Sequence, residues 1–116
     1  MEYFIVANSF AAPFFSDTDK SFQEASNPEE ALLKFKDGYR HPAGLYGAGV
    51  WADANAYHKN EKPLARWVCN LALAKEEAAK GKGSYSMLGV SQSEFEIDGV
   101  RHKVENPRCG KVVLAS

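Results

Sequence analysis

The sequence predicts an α+β fold: a mixed or antiparallel sheet of five to six strands with two helices packed on one face, in the order β-β-α-β-α-β-β-β. Three observations lead there. β-Branched and aromatic runs stand near both ends, "YFIVA" at 3–7 and "KVVLA" at 111–115. Two stretches, 28–37 and 63–80, combine helix-start signals with apolar residues at three- and four-residue steps. An Asp98-Gly99 pair sits inside an alternating run and signals a hairpin. Strands and helices do not alternate regularly, which argues against a doubly wound parallel sheet.

Taken in order, "YFIVA" is a buried strand. "NSFAAPFFSDTDK" is a loop, with Pro13 and a polar cluster, and "SFQEA" at 21–25 is a second, edge-like strand. In "SNPEEALLKFKDG", Asn27 caps a helix, Pro28 suits its first position, and Glu29 and Glu30 complement its positive end. Gly38 stands where a left-handed cap is expected. "GLYGAGVWA" at 44–52 is a central strand, whose Gly47 and Gly49 imply close approach of another backbone or a helix.

Asp53 caps a short helical turn, "ANAYHK". Leu64, Trp67, Val68, Leu71, Ala74 and Ala78 then mark the main helix, 63–80, closed by Gly81. "SYSMLGV" is a strand. The turn in "EFEIDGVRHKV" fixes a register in which Ile97 faces Val100, Glu96 faces Arg101, Phe95 faces His102 and Glu94 faces Lys103. "KVVLA" closes the sheet. The 116 residues suit one domain, 1–116.

The composition sets bounds on function. A net charge of -1 argues against general nucleic-acid binding. Residues 1–58 nevertheless hold eight acids and four bases (net -4), and 59–116 hold seven acids and ten bases (net +3). Cys69 and Cys109 form no metal-type or CxxC spacing and suit reduced cytosolic thiols. "MEYFIVANSF" lacks the pattern of a signal peptide, and no run reaches the ~18 apolar residues of a membrane span. The expected setting is soluble and cytoplasmic.

Few motifs carry chemistry. Neither phosphate-loop pattern is present. "DTDKSFQEASNP" has the first two acids of a calcium loop, but Phe22 and Pro28 occupy its required glycine and glutamate positions. His41, His58 and His102 share no metal-ligand spacing, so neither a metal nor a cofactor is expected. Cys69 is read as a buried structural thiol. Cys109, flanked by Arg108 and Lys111, is the one candidate nucleophile, with His102 as its candidate base. The hairpin register favours a half-buried structural role for that histidine.

The stretch "WADANAYHKNEKPLARW", 51–67, gives the sharpest local hypothesis. With the main helix starting at 63, Lys59 and Lys62 precede it and Arg66 lies in its first turn. Cations there oppose the helix dipole, by about 0.3–1 kcal/mol each when exposed. An anion would relieve the conflict. Tyr57, His58, Lys59, Lys62 and Arg66 are the expected ligand residues, with Trp51, Tyr57 or Trp67 as a stacking surface for a nucleotide-like anion. The competing reading is a structural junction whose tryptophans lie in the core beneath the main helix. Tyr39, Arg40 and His41, on the loop in "KDGYRHPAG", are the expected partner-binding residues.

The expected function is a small, non-enzymatic binding or regulatory module of bacterial or phage accessory type. Its partners would be a small anionic ligand or another protein, with no nucleic acid and no membrane. The alternative is a small enzyme using Cys109 and His102. The uncharged middle of "KVVLA" suggests a sheet edge and a homodimer through it.

Overall fold

The computed structural model describes residues 1–9, 18–40, 44–81, 85–87, 93–106 and 109–114. Its elements are β1 (Glu2–Ser9), β2 (Thr18–Glu24), α1 (Pro28–Gly38), β3 (Leu45–Trp51), α2 (Ala54–His58), β4 (Ala65–Cys69), α3 (Asn70–Lys80), β5 (Tyr85–Met87), β6 (Glu94–Ile97), β7 (Val100–Lys103) and β8 (Gly110–Leu114). The class is α+β, and the described residues form a five-stranded antiparallel sheet, a three-stranded sheet and three helices. Two units emerge: Met1–Val68 with Lys111–Ser116, and Cys69–Gly110.

The first unit holds the larger sheet, ordered β2-β1-β3-β4-β8. The edge expected at 21–25 and the central strand expected at 44–52 are both found there. β1 pairs with β2 (Phe4 opposite Phe22) and with β3 (Phe4 opposite Trp51). Its residues Tyr3 to Ala7 are all buried, as a strand covered on both faces requires. One face presents Ile5, Val50, Ala65 and Trp67, and α1 lies against it. Leu32 and Ala31 of α1 are fully buried, and Lys36 Nζ stands 5.9 Å from the Trp67 ring centre.

α1 starts as expected: Glu30 N donates to Asn27 Oδ1 (2.8 Å), with Pro28 in the first turn. Its end differs. Gly38 belongs to the helix, and Tyr39 turns the chain out in extended geometry (φ -73, ψ 128). No left-handed residue is needed, because the next residues leave in an extended direction.

β4 corrects the expectation of one helix over 63–80. Residues 65–69 pair antiparallel with β3, Gly47 opposite Val68 through Val50 opposite Ala65. Ala65, Trp67 and Cys69 repeat every second residue and are buried, the spacing of one strand face and not of a helix face. Cys69 then caps α3, its Sγ accepting from Ala72 N at 3.4 Å. Trp67 is a core residue, 1% exposed, but it lies under α1.

In the second unit, β5-β6-β7 form the smaller sheet. The β6–β7 register is the expected one, pair for pair. Asp98 (φ 50) and Gly99 (φ 82) both adopt the left-handed conformation that a two-residue type I′ turn demands. Phe95 is buried between the rings of Tyr85 (5.7 Å) and His102 (5.3 Å). Every residue of β7 is exposed, so His102 is not half-buried. It covers Phe95 with one ring face. α3 lies against β5, with Lys75 Nζ 5.2 Å from the Tyr85 ring centre.

Candidate functional site

On the sheet face away from α1, strand register assembles two rows of side chains. Phe22, Phe4 and Trp51 stand side by side across β2, β1 and β3. Lys20, Val6, Gly49 and Arg66 form the next row, with a cation at each end. The Trp51 indole folds back over Gly49: a Cβ there would meet its Cη2 at 2.7 Å and Cζ3 at 2.8 Å. The close approach expected at this glycine is therefore real, but its cause is a side chain. Gly47 does meet backbone, with Trp67 O at 3.6 Å.

The connection from β3 to β4 folds over this face. Asp53 caps α2 by accepting from Ala56 N (2.8 Å), which fixes where Tyr57 emerges. Trp51 Nε1 donates to Glu61 O (2.8 Å), and Leu64 N donates to Val50 O (2.8 Å). Asn60 takes the tight bend at φ 60. Tyr57 comes to rest 4.9 Å from Trp51, edge-on, and 5.6 Å from Phe4. His58 packs edge-on to Tyr57 at 5.4 Å, and Lys20 Nζ stands 5.5 Å from the Tyr57 ring centre. An ammonium there is drawn to the negative ring face. The result is a half-buried aromatic floor, Tyr57 and Trp51, beside exposed Phe22, Lys20 and His58.

The sequence-derived ligand set is thus partly assembled. Tyr57 and His58 meet. Lys59 ends α2 and Lys62 lies in the following loop, both exposed. Arg66 sits on β4 and not in a helical first turn. α3 begins at Asn70, so none of these cations opposes a helix dipole, and the electrostatic motive for the site is removed. What gathers the patch is strand register. Lys20 was missed because it comes from a distant strand. The alternation in "TDKSFQE" does place it on one face with Phe22.

Tyr39 and Arg40 line an open groove of about 500 Å³ beside β2, together with Ser21, Gln23, Lys34 and Phe35. The Tyr39 hydroxyl is buried and its ring lies 5.6 Å from Phe35. The Arg40 guanidinium donates to Asp37 O (2.7 Å) and Tyr39 O (3.0 Å). Lys34 bridges to Glu30 at 2.9 Å, and that hydrogen bond holds the Glu30 carboxyl below its usual range. His41 lies outside the described residues.

The two thiols differ. Cys69 is buried, as expected, and burial pushes its pKa up. Cys109 is exposed, and its N–H donates to Asn106 O (3.0 Å). Its neighbour Arg108 lies outside the described residues. Among the described residues, no three His, Cys, Asp or Glu side chains converge as a metal site, and no helix is long and apolar enough to cross a membrane. The chain matches no family model, no curated protein and no solved structure.

Proposed function

We propose that this protein is a small, non-enzymatic binding module of the cytoplasm that takes up an anionic, ring-bearing ligand of nucleotide type against Tyr57. The observation that carries this reading is the convergence on one tyrosine ring of His58 from α2 and Lys20 from β2. A flat half-buried ring supplies stacking, worth about 1–3 kcal/mol per base. Lys20 supplies a charge-assisted contact to phosphate, the His58 ring adds an N–H donor, and Lys59 and Lys62 extend the basic rim. One stack and one or two such contacts correspond to dissociation constants of about 0.1–1 mM.

Thermal melts with AMP, ATP and inorganic phosphate test it. Nucleotide raises the melting temperature, and Tyr57→Leu and Lys20→Gln each weaken that response about tenfold while leaving circular dichroism unchanged. No shift with millimolar nucleotide in the unaltered chain overturns the reading. A second reading, docking of a partner protein, is favoured by the groove at Tyr39 and Arg40. Of the charged side chains on that face, Lys34 and Arg40 outnumber Asp19, which suits an acidic partner segment.

A further inference from the structure

We propose that two copies of this chain join edge to edge through β2, antiparallel about a two-fold axis at Phe22, so that the five-stranded sheet of one continues into that of the other. The ligand reading is not needed for this.

Among the described residues β2 ends its sheet, and the direction of its peptide groups follows from one pair. Met1 N donates to Ala25 O (3.1 Å) and Ala25 N donates to Met1 O (3.0 Å). In an antiparallel ladder such doubly bonded pairs alternate with non-bonded ones. Gln23, Ser21 and Asp19 therefore turn their peptide groups toward β1. Those of Thr18, Lys20, Phe22 and Glu24 point outward. The Glu24 carbonyl agrees: it accepts from Gln23 Nε2 (3.2 Å) and Lys34 Nζ (3.4 Å), both exposed side-chain donors that the N–H of the second copy's Lys20 displaces in the dimer. β2 itself contains no proline, and its register with β1 runs without a bulge, so two of the usual protections of an edge are missing.

The strand complements itself. Pairing about Phe22 sets Phe22 opposite Phe22 of the second copy, and Lys20 opposite Glu24 of the second copy, twice by symmetry. All three residues lie on one face, and all three use their outward peptide groups. Phe22 is 57% exposed, and the Glu24 side chain, which meets the Met1 amino group at 2.7 Å, is 72% exposed. Moving the axis by one residue sets Lys20 or Glu24 opposite Phe22. Moving it by two sets Lys20 against Lys20 or Glu24 against Glu24. Only the register centred on Phe22 pairs opposite charges and buries the phenyl ring.

There is room on the other face. The groove beside β2 can receive Ser21 and Gln23 of the second copy. α1 lies against β1, β2 and β3, so the two α1 helices would run roughly 14 Å apart, three strand spacings. That exceeds the ~10 Å at which helices pack. β8, at the opposite end of the sheet, is the edge that sequence alone favoured. With Lys111 as its one charge, it has no charge pattern that selects a register.

Sedimentation velocity on the full chain tests the inference by charge reversal. The unaltered chain is expected to dimerise reversibly at tens of micromolar. Lys20→Glu and Glu24→Lys each set two like-charge pairs across the axis and loosen the dimer about tenfold. The double reversal, Lys20→Glu with Glu24→Lys, restores the dimer to within a few-fold of the original. Restoration cannot come from a damaged fold.

Phe22→Cys, in a Cys109→Ser background, adds a direct measurement. Facing Cα atoms in a bonded pair lie ~5.5 Å apart, within disulfide reach, so mild oxidation yields a covalent dimer. A monomer at every concentration overturns the inference. So does a dimer indifferent to both single reversals, which places the contact elsewhere, β8 included. A monomer that still binds nucleotide removes only the dimer, and a dimer that binds none removes only the ligand reading.

Discussion

The two sheets of this protein bury their strands to very different depths. In β1, five consecutive residues, Tyr3 to Ala7, are buried, whereas all four residues of β7 are exposed. The difference comes from what lies on each face. α1 covers one side of the larger sheet, and the α2 connection with Trp51 and Tyr57 folds over the other. β6 buries Phe95 among a few rings, and the hairpin it makes with β7 relies on its turn and its cross-strand pairs. A strand with two covered faces is held by packing. A strand with an open face is held by local geometry, and the two respond differently to the same substitution.

The largest expected effect is at Trp67. Changing Trp67 to Ala removes a side chain that is 1% exposed, and chemical denaturation should show a loss of about 3–5 kcal/mol. A loss below about 1 kcal/mol would mean that β4 does not anchor the larger sheet. Next is Phe95→Ala, expected to cost about 3 kcal/mol, the lower end of the range for a buried aromatic, because two of its partners, Tyr85 and His102, are not buried themselves. Hydrogen exchange should rise across β5, β6 and β7 while β1 and β3 stay protected. Equal acceleration in both sheets would erase the contrast between them.

That contrast also explains what the sequence made legible. The β6–β7 register was readable because it is local: Asp98-Gly99 fixes the turn, and the cross-strand residues agree in charge. α1 was readable from Asn27, Pro28 and Glu30, all within one turn. The segment 63–80 was not. Leu64, Trp67, Val68 and Leu71 satisfy helical spacing, while Ala65, Trp67 and Cys69 satisfy strand spacing. The decision rests with a partner strand far away, since residues 65–68 pair with 47–50. The helix start then falls to Cys69, a residue without the strong capping preference of Ser, Thr, Asp or Asn. The same non-locality hid Lys20 from the candidate site. Tyr57 and His58 were found, and the cation beside them required the register of β1 with β2.

A matched pair sharpens the comparison at smaller amplitude. Val50, in β3, is 0% exposed, and Val100, in β7, is 58% exposed. Val→Thr exchanges a methyl for a hydroxyl at nearly constant volume. At Val50 the hydroxyl enters the layer between sheet and α1, and the expected cost is about 1–3 kcal/mol. At Val100 water solvates it and threonine suits a strand, so the change should stay within about 0.5 kcal/mol. Melting curves of the two variants, read side by side, check this. Similar losses at both positions would show that β7 is covered.

The smallest effect concerns the two thiols. Cys69 is buried and its pKa is raised by burial. The folded chain therefore keeps this proton at a pH where the unfolded chain, with an ordinary thiol near 8.5, has lost it. Proton uptake favours the folded state in that interval, so the contribution is complete below about 8.5 and declines as pH rises toward the raised folded value. Denaturation from pH 7 to 10 should show stability falling more steeply in the unaltered chain than in Cys69→Ala, after the constant offset from the lost side chain is removed. Alkylation gives a second readout from the same residues. Exposed Cys109 should react with iodoacetamide in the native protein, while Cys69 reacts only as fast as its surroundings open. Parallel pH slopes in the two proteins, together with equal alkylation of both cysteines, would place Cys69 at the surface and remove it as the buried cap that ends β4 and begins α3.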